Sequence, residues 1–412
     1  MNINIPGIHI ADFDYDLRPD KIAQHPLAER DTSRLLIYRN GKISEDIFRN
    51  LNQHLPPHSL LVFNDTKVIR ARLIFKKPTG AEIEIFCLEP ISPVTEIQKA
   101  FQLHESTTWK CLVGNLKRWK QGILIKRTEI NGKYHLLTAE LKENLGDGCF
   151  AIAFRWEPSH LSFSEILEIS GLIPLPPYIE RRTEPEDTIR YQTIFAAHEG
   201  SVAAPTAGLH FTEPLLGRLK TGGFEFARVT LHVGVGTFRP VTVHDIRNHI
   251  MHHERIVVTR ETIECILNKL GEPIIAVGTT SARTIESLYW LGVKMVTRPT
   301  EEHHEVDQWE PYITHSADRI PPQEALKALL KDLDQKKLDC FSGDTRLMII
   351  PGYEYRILSG MITNFHMPQS TLLLLVAAMI GEKWKEVYRH ALLNQFRFLS
   401  YGDSCLFFKQ PF

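Results

Sequence analysis

Ile274-Ile-Ala-Val-Gly-Thr-Thr-Ser281 decides how this chain is to be read. Four consecutive apolar residues fit a strand buried on both faces, and Gly278 opens a turn into a helical pattern that continues through Trp290. Upstream, Thr212-Glu213-Pro214 reads as a helix start with proline pre-set for the first turn. Gly222-Gly223 stops that helix, and 224–233 reads as the next strand. From about residue 157 onward helices and strands alternate, which calls for layered α/β architecture. Trp384, Val387, Tyr388, Ala391 and Leu392 recur at helical spacing and mark a further helix with one buried face.

The texture changes between 73 and 156. Segments 82–88, 109–114, 122–127, 134–141 and 149–156 are short and strand-like, broken by Gly, Pro and Asn, as in a small antiparallel barrel. The expected fold is a three-layer α/β domain formed by 1–72 and 157–412, interrupted by an inserted antiparallel β-barrel domain at 73–156. Residues 300–344 are charged and irregular apart from a helical pattern at 322–336, and are expected as a surface insertion.

With 412 residues, 43% of them hydrophobic, the chain can bury a full core. A net charge of −1 excludes a generally basic nucleic-acid coat, so RNA binding would need a local patch. Six cysteines without a CxxC pair argue against a structural zinc site or a disulfide framework and fit a reducing cytoplasm. The strongest apolar run, 372–380, is far shorter than a membrane span. No membrane association is expected, and a monomer is.

Two histidines stand in stretches of small residues: His210 in Ser201-Val-Ala-Ala-Pro-Thr-Ala-Gly-Leu-His-Phe211, and His232 in Leu231-His-Val-Gly-Val-Gly-Thr-Phe238. Small residues let backbone approach a ligand, and neutral imidazole suits proton traffic near pH 7. One histidine before a helix and one after the next strand can converge on one cleft. Each can equally be a satisfied structural histidine, with His232 bracing the turn after it. Gly278-Thr-Thr-Ser281, at a helix start, offers N–H groups and hydroxyls to an anion, with Ser281 as a plain helix cap the alternative. Asn64-Asp65-Thr66 ends a strand as ligand groups or as an Asx turn. His249, His252 and His253 would share a helical face, but no established zinc spacing accompanies them, and no metal is expected. His303 and His304 are expected to be solvated. Neither a dinucleotide fingerprint, a P-loop lysine, nor a three-cysteine cluster site is present.

Several stretches resemble one family in order. They include Asp14-Tyr-Asp-Leu17, Ile22-Ala-Gln24, Ser33-Arg-Leu-Leu36, Phe63-Asn-Asp-Thr66, Pro174-Leu-Pro-Pro-Tyr-Ile179 and both histidine segments. His249-Ile-Met-His252, Val277-Gly-Thr-Thr-Ser281 with Arg283, Thr363-Asn-Phe-His366 and Ser400-Tyr-Gly-Asp403 follow. The chain resembles the S-adenosylmethionine:tRNA ribosyltransferase-isomerases of queuosine biosynthesis. The resemblance implies transfer and isomerisation of the ribosyl part of S-adenosylmethionine onto 7-aminomethyl-7-deazaguanine at the tRNA wobble position, with adenine and methionine released.

On that resemblance the expected catalytic residues are His210 and His232. Expected substrate contacts are Asp65, Thr206, Gly208, Gly234, Gly236, Thr237, Thr279, Thr280, Ser281, Arg283, Asn364, His366, Tyr401 and Asp403. Tyr401 and Asp403 would otherwise pin the terminal strand. The tRNA partner would meet Lys117, Arg118, Trp119 and Lys120, with Lys110, Lys126, Arg127 and Trp109 close in sequence, and also Arg181 and Arg182; a solvated basic face is the alternative for the first cluster. S-adenosylmethionine is consumed as the ribosyl donor. Where the family usually carries arginine and proline, this chain has Lys67 and Arg70. A paralogue acting on another acceptor and a non-catalytic tRNA-binding protein are the competing readings.

Overall fold

Alternate residues of the central strands enter different cores. In the computed structural model, which describes residues 5–119, 121–130, 132–233, 241–299, 305–313 and 320–409, Leu60, Val62, Ile274, Ala276 and Met361 join one buried cluster. Leu61, Phe63, Ile275, Val277 and Ile362 join another on the opposite face. A strand with no solvated face must be apolar throughout, which is why these segments read as continuous runs.

These strands belong to a ten-stranded mixed sheet. Glu225–Leu231, Leu60–Asn64, Ile274–Val277 and Gly360–Asn364 lie side by side and parallel, so their carboxyl ends emerge on one edge. Ser404–Phe408, antiparallel to Gly360–Asn364, continues the sheet to Arg34–Arg39 and Lys42–Ile47. Glu254–Thr259 and Cys340–Thr345 extend it on the other side.

The helix Thr279–Thr297 covers one face, buried along most of its length. Pro322–Lys336 crosses it closely: a Cβ on Gly292 would come within 2.2 Å of the Ala325 carbonyl oxygen. On the other face, Glu213–Thr221 buries Leu215 and Leu219. The sequence signals at its ends hold, since Thr212 Oγ1 accepts from Leu215 N and Gly223 takes a φ of +81°. Trp384–Leu393 buries Trp384, Val387, Tyr388 and Ala391.

The 300–344 stretch departs from the surface position expected of it. Its described residues Val306, Ala325, Leu326, Leu329, Leu333 and Phe341 are part of the main core. The charges lie on the outer face of an amphipathic helix and hid the inner one.

A seven-stranded antiparallel sheet holds Arg72–Lys76, Glu82–Ser92, Ser106–Gly114, Ile123–Ile130, Lys133–Gly146 and Cys149–Glu157, with Gly171–Leu172 added at one edge. It curls around its own core, which also takes Phe163, Ile166 and Leu167 from the helix Phe163–Ser170. Lys126 Nζ reaches across the curl to the Ile74 carbonyl (3.2 Å), but among the described residues no backbone ladder joins those edges. The sheet is a curled, open form of the barrel expected from sequence. A short parallel pair, Thr66–Val68 with His198–Ser201, lies where the chain leaves the large sheet. No described helix is long and apolar enough to cross a membrane.

Candidate active site at the carboxyl edge of the parallel strands

Strand ends at such an edge leave backbone groups unpaired and side chains convergent, and this is where open α/β sheets hold ligands. Here the edge encloses a cavity of about 340 Å³. Residues 278–280 follow one parallel strand, 363–367 end another, and Val233 follows a third; 203–207, Tyr178 and Ser400 complete the wall. Gly278 has a φ of +94°, and the helix after it has no side-chain cap, so its first N–H groups stay open for an acceptor.

Of the residues singled out from sequence, Thr206, Thr279, Thr280, Asn364 and His366 line this cavity. Thr206 Oγ1 donates to Asn364 Oδ1 (3.2 Å), which fixes the amide so that Nδ2 donates to the Leu399 carbonyl (3.2 Å) and to His210 Nε2 (3.0 Å). With Nε2 accepting, the His210 proton sits on Nδ1 and is donated to Ser33 Oγ (2.8 Å). Both nitrogens of His210 are therefore occupied. Burial, with Arg397 and Arg30 nearby, lowers its pKa to about 3. Its ring lies against Phe48, behind the cavity wall.

His232 is held elsewhere, its Nδ1 3.3 Å from Thr66 Oγ1 and its Nε2 3.5 Å from Gln98 Nε2. A Cβ on Gly200 would lie 2.5 Å from Nδ1, so only glycine lets the chain pass this ring. Burial lowers its pKa to about 4, assisted by His198 and Arg255. The two favoured histidines thus share no hydrogen-bonding partner, and neither lines the cavity. His366 does, with Nε2 bonded to Thr363 Oγ1 (2.9 Å), its backbone N–H donating to Tyr388 Oη (3.2 Å), and its backbone carbonyl accepting from Tyr15 Oη. Burial takes its pKa to about 3.

The remaining residues separate by role. Ser281 Oγ donates back to the Val277 carbonyl (2.9 Å) and is not a cap. Gly208 lies against Thr193, where a Cβ would come within 2.9 Å of Cγ2. Asn64 forms the Asx turn, accepting from Thr66 N (3.1 Å), and also bridges to Leu231. Asp65 accepts from Thr230 Oγ1 (2.7 Å), and burial raises its pKa. Asp403 accepts from Arg34 N (3.1 Å) and Arg397 N (2.8 Å), pinning the last strand, and Tyr401 donates to Asp187 (3.0 Å). Gly234, Gly236, Thr237, Lys120, His303 and His304 lie outside the described residues.

On the expected RNA face, Lys117, Arg118 and Arg182 are exposed. Trp119 and Trp109 are interior residues of the curled sheet, Trp119 Nε1 donating to the Gly122 carbonyl (3.0 Å), so neither presents a stacking face. Arg181 forms a two-pronged bond with Asp187 (2.7 Å each). Lys67 pairs with Glu199 (2.8 Å), and Arg70 with Glu168 (3.1 Å). Residues 249–253 are not helical, and among the described residues no cluster of three His, Cys, Asp or Glu suits a metal. All six cysteines are unbridged.

Sequence reasoning gave no role to Tyr178 or Ser400, which bond each other at 2.7 Å on the cavity wall. Gln24 clamps the same loop through the Tyr178 carbonyl (3.0 Å) and Glu180 N (2.9 Å). Both lie in stretches that carried the resemblance.

The fold and this edge define a mixed α/β protein with a ligand-sized cleft walled by small residues, hydroxyls and one imidazole. The family model described as "Queuosine biosynthesis protein" matches residues 10–407. The chain belongs to that family. It is 38% identical over 402 residues to the S-adenosylmethionine:tRNA ribosyltransferase-isomerase of Thermotoga petrophila, covering 96% of this chain and 99% of the relative. It is 37% identical over 407 residues to the protein of that name from Magnetococcus marinus, covering 98% and 95%. A crystal structure of S-adenosylmethionine tRNA ribosyltransferase from Thermotoga maritima is 29% identical, covers 96% of this chain and 99% of its own, and has a TM-score of 0.45.

Proposed function

We propose that the protein is an S-adenosylmethionine-dependent tRNA ribosyltransferase-isomerase. It moves the ribosyl moiety of S-adenosylmethionine onto 7-aminomethyl-7-deazaguanine in the wobble position of tRNA, giving epoxyqueuosine-tRNA with adenine and methionine as products. Kinship with relatives of that name along nearly the whole chain supports this reading. The structural observation that carries it is the cleft, which combines small-residue backbone, open N–H groups and an imidazole around one mostly apolar-walled space.

The chemistry asks for a group to take a proton from the carbon beside the sulfonium, a donor for departing adenine, and exclusion of water. His366 is the imidazole on the cavity wall, neutral at pH 7 and able to accept a proton or a hydrogen bond. The same burial makes it a weaker base than free imidazole. His210 acts through Asn364, whose amide it orients, and His232 braces the junction between Thr66 and Gly200; both are positioning residues in this reading. Thr279, Thr280 and Thr206 supply hydroxyls to the donor. The curled sheet is read as an inserted, barrel-like domain whose Lys117 and Arg118 track phosphates, as does the exposed Arg182. Unbridged cysteines fit action in a reducing cytoplasm.

Release of adenine and methionine from S-adenosylmethionine, measured with and without tRNA bearing the deazaguanine, tests the reaction. Stoichiometric release that depends on that tRNA is expected. Tight tRNA binding with no adenine release would select a binding protein, and turnover on another nucleoside alone would select a different acceptor.

A further inference from the structure

Beside the candidate active site lies a second cavity of about 660 Å³, and Leu372 lines both. Its apolar wall includes Met251, Leu347, Met348 and Leu375; its charged residues are Arg283, Glu254 and Asp147, and two imidazoles, His249 and His252, also line it. Arg283 is only 6% exposed. Its Nε donates to the Leu347 carbonyl (3.2 Å) and its Nη1 to Glu254, but Nη2 is buried without a hydrogen-bond partner. Arg49, Arg70 and Arg346 also keep a buried nitrogen without a hydrogen-bond partner, but Arg283 stands on the wall of a cavity beside the candidate active site, where an acceptor arriving with a ligand can complete it.

We propose that this cavity receives the amino-acid end of the sulfonium donor, with Arg283 Nη2 donating to its carboxylate; the proposal rests on the donor named under the proposed function. Two features choose this ligand over an RNA phosphate. Glu254 and Asp147 would repel a phosphodiester, whereas a zwitterionic amino acid brings an ammonium for a carboxylate to meet and a carboxylate for the guanidinium. The apolar wall suits an aliphatic thioether chain, while Thr242, Asn248, His249 and His252 on the same lining leave polar groups for an amino acid's two charged ends. Leu372 lines both cavities, so an adenosyl part in the first and an amino-acid part in the second would lie on either side of one side chain.

The test compares S-adenosylmethionine with its decarboxylated analogue as donors, by initial rates of adenine release in the presence of substrate tRNA. The full-length enzyme should prefer the carboxylated donor by roughly 10- to 100-fold in kcat/KM, the range of one charge-assisted hydrogen bond. Arg283→Lys keeps a cation beside Glu254 but loses the planar fork that aims a separate donor, Nη2, at the ligand. It should raise the KM for S-adenosylmethionine, leave kcat and the KM for tRNA nearly unchanged, and bring the two donors close to parity. Equal kcat/KM for both donors in the unaltered enzyme overturns the proposal, as does full discrimination retained by Arg283→Lys, or a change confined to the KM for tRNA. Absence of adenine release with either donor would instead bring down the proposed function itself.

Discussion

Two imidazoles are held by neighbouring residues of one strand, and their surroundings differ sharply. Asn364 bonds His210 behind the cavity wall, and Thr363 bonds His366 on it. His210 has both nitrogens occupied, at 2.8 and 3.0 Å, so protonation would break its bond from Asn364. His366 has one nitrogen engaged by a side chain. Flanking small residues marked His210 as a place where backbone packs tightly, and tight packing is what saturates a ring. The histidine that meets the cavity lies instead at a strand end, between a phenylalanine and a methionine.

The largest effect is expected at His210. His210→Ala removes a buried ring and leaves Ser33 and Asn364 without their partner, which should cost about 3 kcal/mol of stability in denaturant unfolding. A loss below about 1 kcal/mol would mean that the saturated ring is not structural. His366→Ala should do the reverse, with adenine release slowed roughly 100-fold while the unfolding midpoint moves little. An unchanged rate in the folded variant removes His366 from proton transfer and returns attention to His232.

The smallest effect concerns pH. His210 titrates at about 3 in the folded protein against about 6.5 when unfolded. A folded pKa lowered in this way contributes stability that is fully present above pH 6.5 and is lost as pH falls toward 3, because the unfolded chain takes up the proton first. Between pH 6 and pH 5 the native protein should therefore lose about 1 kcal/mol more stability than His210→Ala. Parallel pH profiles for the two would show that the ring is not held neutral.

Legibility from sequence followed the range of the interactions involved. Ile274–Val277 and the helix after it were readable because burial on both faces demands an unbroken apolar run. Glu213–Thr221 was readable because its cap and its stop are local. In Ser106–Gly114 alternation was present but could mislead: Trp109 and Lys110 are adjacent in the chain and so face opposite sides of the sheet. An aromatic beside a lysine therefore marked an interior, where a stacking platform was expected.

By itself the amino-acid order determined the mixed α/β architecture, the presence of an antiparallel β unit and the family, because periodicity, caps and motif succession are written in neighbouring residues. Tertiary structure alone decided which imidazole meets the cavity and which is sealed, which cations are already paired, and where an arginine stays incomplete. His210 meets its partners across 177 and 154 positions of chain. Contacts at that separation arise only when strands and loops close on one another, so no local pattern records them.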